Sequence, residues 1–320
     1  MIYLGVDLGG TNIKAALVEE DGRILREGSR PTRLPRPAEA VCDDIAGLCR
    51  ELMKEEKLGT ADVACVGVGC PGTVDDTTGM VLYSNNLDWA DFAMGDYLHK
   101  ALGMPVRLAN DANAAALGEA LAGCAKGAQS AVIITLGTGV GGGVVLDGKL
   151  LTGYTGAAAE PGHMAIDGSA DAPLCTCGRR GCFEAFASAT ALIRQTREAM
   201  QAHPESGLWK LAPTLEEVTG RTVFDARDAG DPVAAQVVDN YIGYLAAGVA
   251  NLINIFFPQV VGLSGGIANQ GEALLVPLRA KVEPLVFGAA HAHKKTTITT
   301  CTLGYRAGVI GAALLGRTAR

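Results

Sequence analysis

Three cysteines and a histidine, the side chains that most often bind zinc, lie close together in one short segment, 160–184. They are His163, Cys175, Cys177 and Cys182. Thiolates and imidazole suit a tetrahedral Zn²⁺, and the glycines between the last two cysteines allow the backbone to turn tightly. Four protein ligands leave no open coordination position, so the segment predicts a structural zinc site. The alternative is a chance cluster of buried or oxidised cysteines.

Two carboxylates flank this cluster, Glu160 before it and Glu184 after it. Carboxylates held rigidly beside a metal-bound turn are suited to accept hydrogen bonds from neutral hydroxyl groups, which is how proteins usually hold a sugar. We therefore interpret both as candidate sugar ligands. Either glutamate taken alone would be interpreted as a solvated surface residue.

Two glycine-rich turns share one layout, because each follows a strand-like segment and precedes a second strand and an Asp-Gly turn. Such turns expose main-chain N–H groups that can bind phosphate oxygens, and two of them could hold one polyphosphate. The repetition predicts an internal duplication. The alternative is a pair of ordinary tight hairpins. The turn residues are Gly9, Gly10 and Thr11 in the first turn and Gly137, Thr138 and Gly139 in the second.

Two aspartates stand at the ends of strand-like segments. Asp7 precedes the first glycine turn, where it could hold Mg²⁺ directly or through water. Asn110 and Asp111 stand where the strand-like stretch 105–110 runs into an alanine-rich helix. Ligands collect at the carboxyl ends of parallel strands, so Asp111 is a candidate general base toward a substrate hydroxyl. Helix capping is the alternative, and it fully explains an Asn-Asp pair.

Two further segments are candidate ligand contacts. The loop 84–89 offers the amides of Asn85 and Asn86 beside an aromatic residue, a composition common in carbohydrate sites, although a polar surface loop explains it equally well. Gly265 and Gly266 follow a third strand-like segment and could pack against an adenosine. A plain strand-to-helix connection is the alternative there.

The composition bounds the remaining possibilities. The chain has 320 residues with 48% hydrophobic content, enough for one large domain or two ordinary ones. Its formal net charge of -7, with no basic run, argues against nucleic acid as a partner. The apolar stretch 241–257 contains two asparagines, so we predict a core helix rather than a membrane span. No targeting signal is evident at the N-terminus, so we expect a cytoplasmic protein.

Taken together, these motifs resemble the ROK family (repressor, open reading frame, kinase) within the actin-like sugar kinases, and most closely its bacterial glucokinases. The resemblance implies an α/β, two-lobed actin-like ATPase (ribonuclease H-like) fold with duplicated βββαβα units. It implies a smaller lobe, 1–109 plus a C-terminal helix at 305–320, and a larger lobe, 110–304, with the zinc knuckle and dimerisation helices. The motifs are DLGGTN at 7–12, SNNLDW at 84–89, LANDANAAALGE at 108–119, the glycine-rich signature at 136–164, CTCGRRGCFE at 175–184 and LSGG at 263–266.

The resemblance also implies an activity, ATP-dependent phosphorylation of a hexose, with glucose 6-phosphate as the expected product. The implied cofactors are ATP, Mg²⁺ and a structural Zn²⁺, and the implied assembly is a homodimer or a dimer of dimers. Asp111 would be the base, and His163 would contact both metal and sugar. The further implied sugar ligands are Asn85 or Asn86, Asn110, Glu160 and Glu184. The implied nucleotide-binding residues are Asp7, Gly9, Gly10, Thr11, Asn12, Lys14, Gly137, Thr138, Gly139, Gly265 and Gly266.

Other members of the family set the alternatives. Kinases for fructose, mannose, allose, N-acetylglucosamine or N-acetylmannosamine would use similar pocket residues. A sugar-responsive repressor would carry a DNA-binding domain ahead of the first glycine turn, and only six residues precede Asp7. A non-catalytic sugar sensor would be favoured by a missing base or a broken phosphate turn. Pro161 occupies the x position of the E-x-G-H motif, where family members commonly carry a flexible or aliphatic residue, and it fixes one backbone angle.

Overall fold

A computed structural model describes residues 1–318. They form two compact units, and both units are discontinuous in sequence. The first contains residues 1–133 and 142–159 and the segment from 301 onward, whereas the second contains 134–141 and 160–300. Residues 319–320, the end of the predicted helix 305–320, lie outside the described residues.

Strands and helices alternate along most of the chain. The strands are β1 (Ile2–Leu8), β2 (Asn12–Glu19), β3 (Ile24–Pro31), β4 (Val63–Cys70), β5 (Thr73–Asp75), β6 (Met80–Ser84), β7 (Trp89–Phe92), β8 (Val106–Asn110), β9 (Ser130–Leu136), β10 (Val140–Leu146), β11 (Lys149–Leu150), β12 (Val260–Ser264) and β13 (Thr297–Thr300). The α-helices are α1 (Ala38–Glu55), α2 (Met94–Leu102), α3 (Asp111–Leu121), α4 (Glu184–Ala187), α5 (Ala189–Ala202), α6 (Leu208–Leu211), α7 (Thr222–Asp228), α8 (Pro232–Phe256), α9 (Glu272–Val282) and α10 (Ala307–Thr318).

Two five-stranded sheets have the same strand order. The first runs β3-β2-β1-β4-β8 and the second β11-β10-β9-β12-β13. Each is built from three consecutive strands followed by two strands that arrive after helices, β4 and β8 in one sheet and β12 and β13 in the other. This shared order confirms the predicted duplication. A small sheet, β5-β6-β7, completes the first unit.

The parallel strands of the first sheet position the candidate residues Asp7 and Asn110. Strand β1 pairs antiparallel with β2 and parallel with β4, and β4 pairs parallel with β8. Asp7 on β1 is in register with Gly69 on β4, and the next residue of β4, Cys70, is in register with Asn110. Because parallel strands end at the same edge, Asp7 and Asn110 lie at one edge of the sheet, two strand spacings or roughly 10 Å apart.

Helices cover both faces of this sheet. Buried residues of α1 and α2 pack on one face, and Val309, Ile310 and Leu314 of α10 pack on the other. Helix α10 approaches so closely that a Cβ added at Gly5 would lie 2.0 Å from the Val309 carbonyl oxygen, and one at Gly67 would lie 1.8 Å from that of Ala312. Glycine is therefore required at both strand positions.

Helix α3 belongs to the first unit, which differs from the predicted division of the chain at residues 109 and 110. Small residues let α3 pack against α10, since a Cβ at Gly118 would lie 2.4 Å from the Ala307 carbonyl oxygen. The segments 110–133 and 142–159 consequently group with the smaller predicted lobe. That close helix packing was not evident from the sequence pattern.

The predicted core helix is confirmed as part of α8. Asp231 caps its N-terminus by accepting a hydrogen bond from the Ala234 N–H, and Pro232 occupies the first helical position. Among residues 1–318, no helix combines the length and the apolar character needed to cross a membrane.

Candidate active site

The first glycine turn joins β1 to β2 and is open to solvent. The Gly9 N–H donates to the Asn12 carbonyl oxygen, and the Thr32 hydroxyl donates to the Gly9 carbonyl oxygen at 2.6 Å. Gly10, Thr11 and Asn12 are exposed, and a Cβ at Gly10 would meet no atom within 4 Å. The turn is therefore fixed at its base and unobstructed at its tip, as binding of a phosphate requires.

Asp7 and Lys14 face each other across the β1–β2 ladder. Burial raises the pKa of Asp7, the nearby Lys14 ammonium lowers it, and the negative charge of Asp111 raises it further. The Lys14 ammonium also lies 5.6 Å from the centre of the Tyr305 ring. The electrostatic influence of Asp111 on Asp7 is consistent with their positions at one edge of the sheet.

Asn110 is the N-cap of α3. Its side-chain oxygen accepts hydrogen bonds from the main-chain N–H groups of Ala112 and Asn113, and its amide donates to the Gly72 carbonyl oxygen at 3.0 Å. The capping explanation is thus correct for Asn110. An amide has a second N–H, so a sugar contact remains a prediction for this residue.

Asp111 is the first residue of α3, at the carboxyl end of β8. One carboxylate oxygen accepts from the Ala112 N–H at 2.9 Å. Burial raises the pKa of Asp111, while hydrogen bonds from main-chain N–H groups and from Asn110 oppose this increase. A half-buried carboxylate with a raised pKa at a strand end has the properties of a general base.

Asn85 and Asn86 occupy the exposed turn between β6 and β7. The Tyr83 hydroxyl donates to the Asn85 side-chain oxygen at 3.2 Å. In the same hairpin, the Ser84 hydroxyl and the Trp89 indole nitrogen are buried and have no hydrogen-bond partner among residues 1–318. Both amides are exposed in this turn, so both are candidate ligand contacts.

In the second unit, the four predicted zinc ligands converge. One ligand atom from each of His163, Cys175, Cys177 and Cys182 lies within 4.8 Å of the others. The Cys175 sulfur is 3.6 Å from the Nδ1 atom of His163, and the Cys177 and Cys182 sulfurs are 3.7 Å apart. Two thiolates bound to one tetrahedral Zn²⁺ at about 2.3 Å lie about 3.8 Å apart. The residues present therefore fit a Zn²⁺ ion.

Glycines shape this knuckle, which we define as residues 163–182. Gly178 and Gly181 have positive φ angles of 86° and 79°. A Cβ at Gly181 would lie 1.7 Å from the Asp167 carbonyl oxygen, so only glycine fits. The Phe183 side chain that follows is fully buried. A Cβ at Gly248 of α8 would lie 2.3 Å from its ring, so the knuckle is anchored on that helix.

Glu184 connects the knuckle to the second glycine turn within the same unit. One carboxylate oxygen accepts from the Thr176 hydroxyl at 2.7 Å, and the other accepts from the Val140 N–H at 3.0 Å. A Cβ at Gly139 would lie 2.3 Å from that second oxygen. Gly139 therefore makes room for Glu184, a structural role that the sequence did not reveal. Glu160 is exposed and immediately precedes a short 3₁₀ turn, Pro161–His163.

The second glycine turn lines a cavity of about 640 Å³ in the second unit. Gly137 and Thr138 contribute to one wall and Gly266 to another, which brings two predicted nucleotide-binding segments together. Gly265 has a φ of 90°, and a Cβ there would lie 2.3 Å from the Leu136 carbonyl oxygen. This close approach explains Gly265, whereas a Cβ at Gly266 would meet no atom of the described residues within 4 Å.

Sequence reasoning missed a third wall of this cavity. It comprises residues just before and within α7, outside every motif described above, and polar residues after Gly266. The available signal was a Gly-Arg pair ahead of a helix with two carboxylates on one face. These lining residues are Thr219, Gly220, Arg221, Asp225, Asp228, Asn269 and Gln270.

The chain is similar in sequence and in fold to known glucokinases. A glucokinase from Thermotoga maritima is 43% identical over 280 residues, covering 87% of this chain and 86% of that protein. A glucokinase from Halalkalibacterium halodurans is 36% identical, covering 98% of this chain and 94% of its own length. The solved structure of a ROK family glucokinase from Streptomyces griseus in complex with glucose and AMPPNP has a TM-score of 0.77 and 35% identity, with both chains fully covered.

The model of the ROK family matches residues 3–319 of the sequence. This match spans both units and all the motifs described above, and the solved relatives share the duplicated two-unit architecture expected of an actin-like ATPase fold. The chain therefore belongs to the ROK family.

Proposed function

We propose that this protein is a hexose kinase that transfers the γ-phosphoryl group of ATP to glucose. The observation that carries the proposal is Asp111, a half-buried carboxylate with a raised pKa at the carboxyl end of β8, in a chain whose close relatives are glucokinases. A phosphoryl acceptor must lose its hydroxyl proton as it attacks, and a carboxylate held at a helix start can accept that proton.

The role of Asp111 follows from its fixed position. Its bond from the Ala112 N–H holds one carboxylate oxygen, so the other can accept the proton of the 6-hydroxyl group. Transfer breaks the bond between the γ-phosphorus and the ADP oxygen and forms a bond to the 6-oxygen of the sugar, so the products are the phosphate ester, ADP and protonated Asp111. Positioning supplies most of the rate in phosphoryl transfer, and this residue provides the proton acceptor.

Nucleotide binding is assigned to the two glycine turns and the cavity. The exposed N–H groups near Gly10 and Thr138 would donate to phosphate oxygens, and the cavity beside Gly266 would hold the adenosine. The carboxylate of Asp7 would hold Mg²⁺, directly or through water, and this ion would neutralise charge on the phosphates. Asn12 and Lys14 remain further candidates beside the first turn.

Sugar recognition is assigned to Glu160, His163 and Glu184, with Asn110 and the 85–86 amides as additional candidates. The proposal for His163 has geometric support, because its Nδ1 atom faces Cys175 and the opposite ring nitrogen would remain available for a hydroxyl group. Both oxygens of Glu184 already accept internal hydrogen bonds, so it would contact sugar through its remaining lone pairs.

We further propose that the knuckle holds a structural Zn²⁺, that the protein acts in the cytoplasm and that it assembles as a homodimer or a dimer of dimers. Exposed apolar side chains at the end of α8 and beyond α9, including Phe257 and Phe287, support association with a second copy. Sedimentation velocity would test the assembly, and a monomer at micromolar concentration would contradict it.

The experiment that tests the function is a coupled measurement of ADP release with Mg-ATP and a panel of sugars. The panel contains glucose, mannose, fructose, allose, N-acetylglucosamine and N-acetylmannosamine. We expect the highest kcat/KM with glucose. A higher kcat/KM with another sugar would support the proposed phosphoryl transfer but would replace glucose as the acceptor. No turnover with any sugar, in folded and zinc-loaded protein that still binds sugar, would favour a sensor instead.

A further inference from the structure

A second group of metal-ligand side chains lies in the first unit. Glu119 is near the end of α3, Cys124 is in the loop that follows, and Cys301 comes directly after β13. Their ligand atoms lie within 4.8 Å of one another, although the two cysteines are 177 positions apart in sequence. None of the three residues belongs to the knuckle or to the proposed kinase site.

The spacing of the two sulfurs fits one metal ion. The Cys124 and Cys301 sulfurs are 3.9 Å apart, and two thiolates on one tetrahedral Zn²⁺ lie about 3.8 Å apart. A disulfide would instead require about 2.0 Å. The knuckle pair Cys177 and Cys182, at 3.7 Å, has nearly the same separation. In both places the sulfurs are separated as two ligands of one ion would be.

Glu119 supplies an oxygen ligand close to the two sulfurs. Its side chain is only 1% exposed, and its carboxylate accepts main-chain N–H bonds from Cys124, Thr302 and Leu303 at 2.7 to 3.1 Å. A carboxylate has about four lone-pair sites, so one remains for a metal. No salt bridge among residues 1–318 involves Glu119, which leaves its charge without a cationic side chain.

We propose that Glu119, Cys124 and Cys301 bind a second Zn²⁺ ion, separate from the ion of the knuckle. Three protein ligands leave one coordination position for water. The two cysteines are partly exposed, so the ion can enter from solvent. Because Glu119 lies on α3 and its carboxylate already binds the residues that lead into α10, the ion would tie these two helices together.

Zinc stoichiometry tests the proposal directly. Purified, reduced protein is titrated with Zn²⁺ against a chromophoric chelator, and metal content is measured by mass spectrometry. We expect two ions per chain in the wild type and one in Cys301→Ala and in Cys124→Ala. The matched control Cys65→Ala removes a thiol from the same unit, outside any described ligand cluster, and keeps both ions. Wild-type stoichiometry in the Cys124 and Cys301 variants overturns the proposal.

If the cysteine variants fold poorly, a more conservative variant and a spectroscopic measurement still test the proposal. Glu119→Gln keeps an oxygen acceptor for the main-chain N–H groups and keeps both thiols. It should nevertheless lower the affinity for the second Zn²⁺ by about tenfold or more. Co²⁺ loaded into the wild type gives thiolate-to-cobalt absorption, and Cys301→Ala should remove only part of it. A Cys124–Cys301 disulfide in freshly purified protein, with one zinc per chain, would also overturn the proposal. These readouts do not depend on kinase turnover.

Discussion

The Glu184 carboxylate accepts a hydrogen bond from the main-chain N–H of Val140 at 3.0 Å. Because its other oxygen accepts from Thr176 in the knuckle, one side chain links the proposed zinc site to the proposed phosphate turn in the second unit. Glu184 follows Cys182 by two residues, so its position depends on the knuckle. We infer that loss of the metal would also disturb the turn at 137–139.

Gly139 gives a direct test of this link. A Cβ at Gly139 would lie 2.3 Å from a Glu184 oxygen, whereas one at Gly137 would meet no atom within 4 Å. We expect Gly139→Ala to lower the free energy of unfolding by about 1–3 kcal/mol, because it displaces a hydrogen-bonded carboxylate. Chemical denaturation measures this, with Gly137→Ala as the control. Equal stabilities for the two variants would contradict the proposed link.

Asp111→Asn should separate catalysis from binding. The amide cannot accept the hydroxyl proton, so kcat should fall by at least about 10²–10⁴-fold. Calorimetry should still detect sugar binding, since size and polarity are retained. The control is Asp96→Asn, which changes an exposed aspartate in the first turn of α2 and should leave kcat unchanged. Retained turnover in Asp111→Asn would remove this residue from the role of base.

The Asp111 carboxylate should make kcat/KM depend on pH. A base acts when deprotonated, and burial raises the pKa of Asp111, so kcat/KM should fall on acidification at a higher pH than an ordinary aspartate would give. The fold favours the protonated form, so this group's contribution to stability is present below its unfolded pKa and is lost as pH rises through the folded pKa. Asp111→Asn should therefore be at least as stable as the wild type at neutral pH.

Measurement of kcat/KM from pH 4 to 8, with circular dichroism at each pH, would check this dependence. Denaturation curves of the wild type and of Asp111→Asn across the same pH range would show whether the stability contribution of Asp111 is lost as pH rises. A profile that stays flat down to the pKa of an ordinary aspartate, in folded protein, is the result that would exclude Asp111 as the titrating base.

Removal of a knuckle ligand should lower metal content and stability together. Cys177→Ser should release the knuckle zinc, and a ligand present at 100 times its Kd stabilises the folded state by about 2.7 kcal/mol. Metal analysis and Tm with and without chelator would measure both effects. Thr176→Ser is the matched control, because it keeps a hydroxyl for Glu184 and removes no metal ligand. Unchanged zinc in Cys177→Ser would refute the ligand assignment.

A substitution in the cavity beside Gly266 should change the KM for ATP and leave the KM for sugar almost unchanged. Arg221 lines it and forms an i,i+4 ion pair with Asp225. We expect Arg221→Ala to raise the KM for ATP by about 3–10-fold, equivalent to about 1 kcal/mol, with little change for sugar. Arg194→Ala is the control, because Arg194 forms a similar pair with Glu198 outside this cavity. An unchanged KM for ATP would place the adenosine elsewhere.

The local features of this protein were readable from its sequence. Capping by Asn110, the glycine turns and the convergence of the four predicted zinc ligands involve residues near each other in the chain. Such features depend on backbone sterics, hydrogen bonds between neighbours and ligand spacing, which a short segment specifies by itself. The duplicated strand-turn-strand layout was readable for the same reason.

Contacts between distant segments were decided only by the tertiary structure. The assignment of α3 to the first unit depends on its close packing with α10, and the cavity wall at 219–228 depends on how α7 packs near the second glycine turn. Glu119, Cys124 and Cys301 likewise meet within the first unit, although 177 positions separate the two cysteines. No local pattern encodes these approaches, since each requires two surfaces to fit after both have formed.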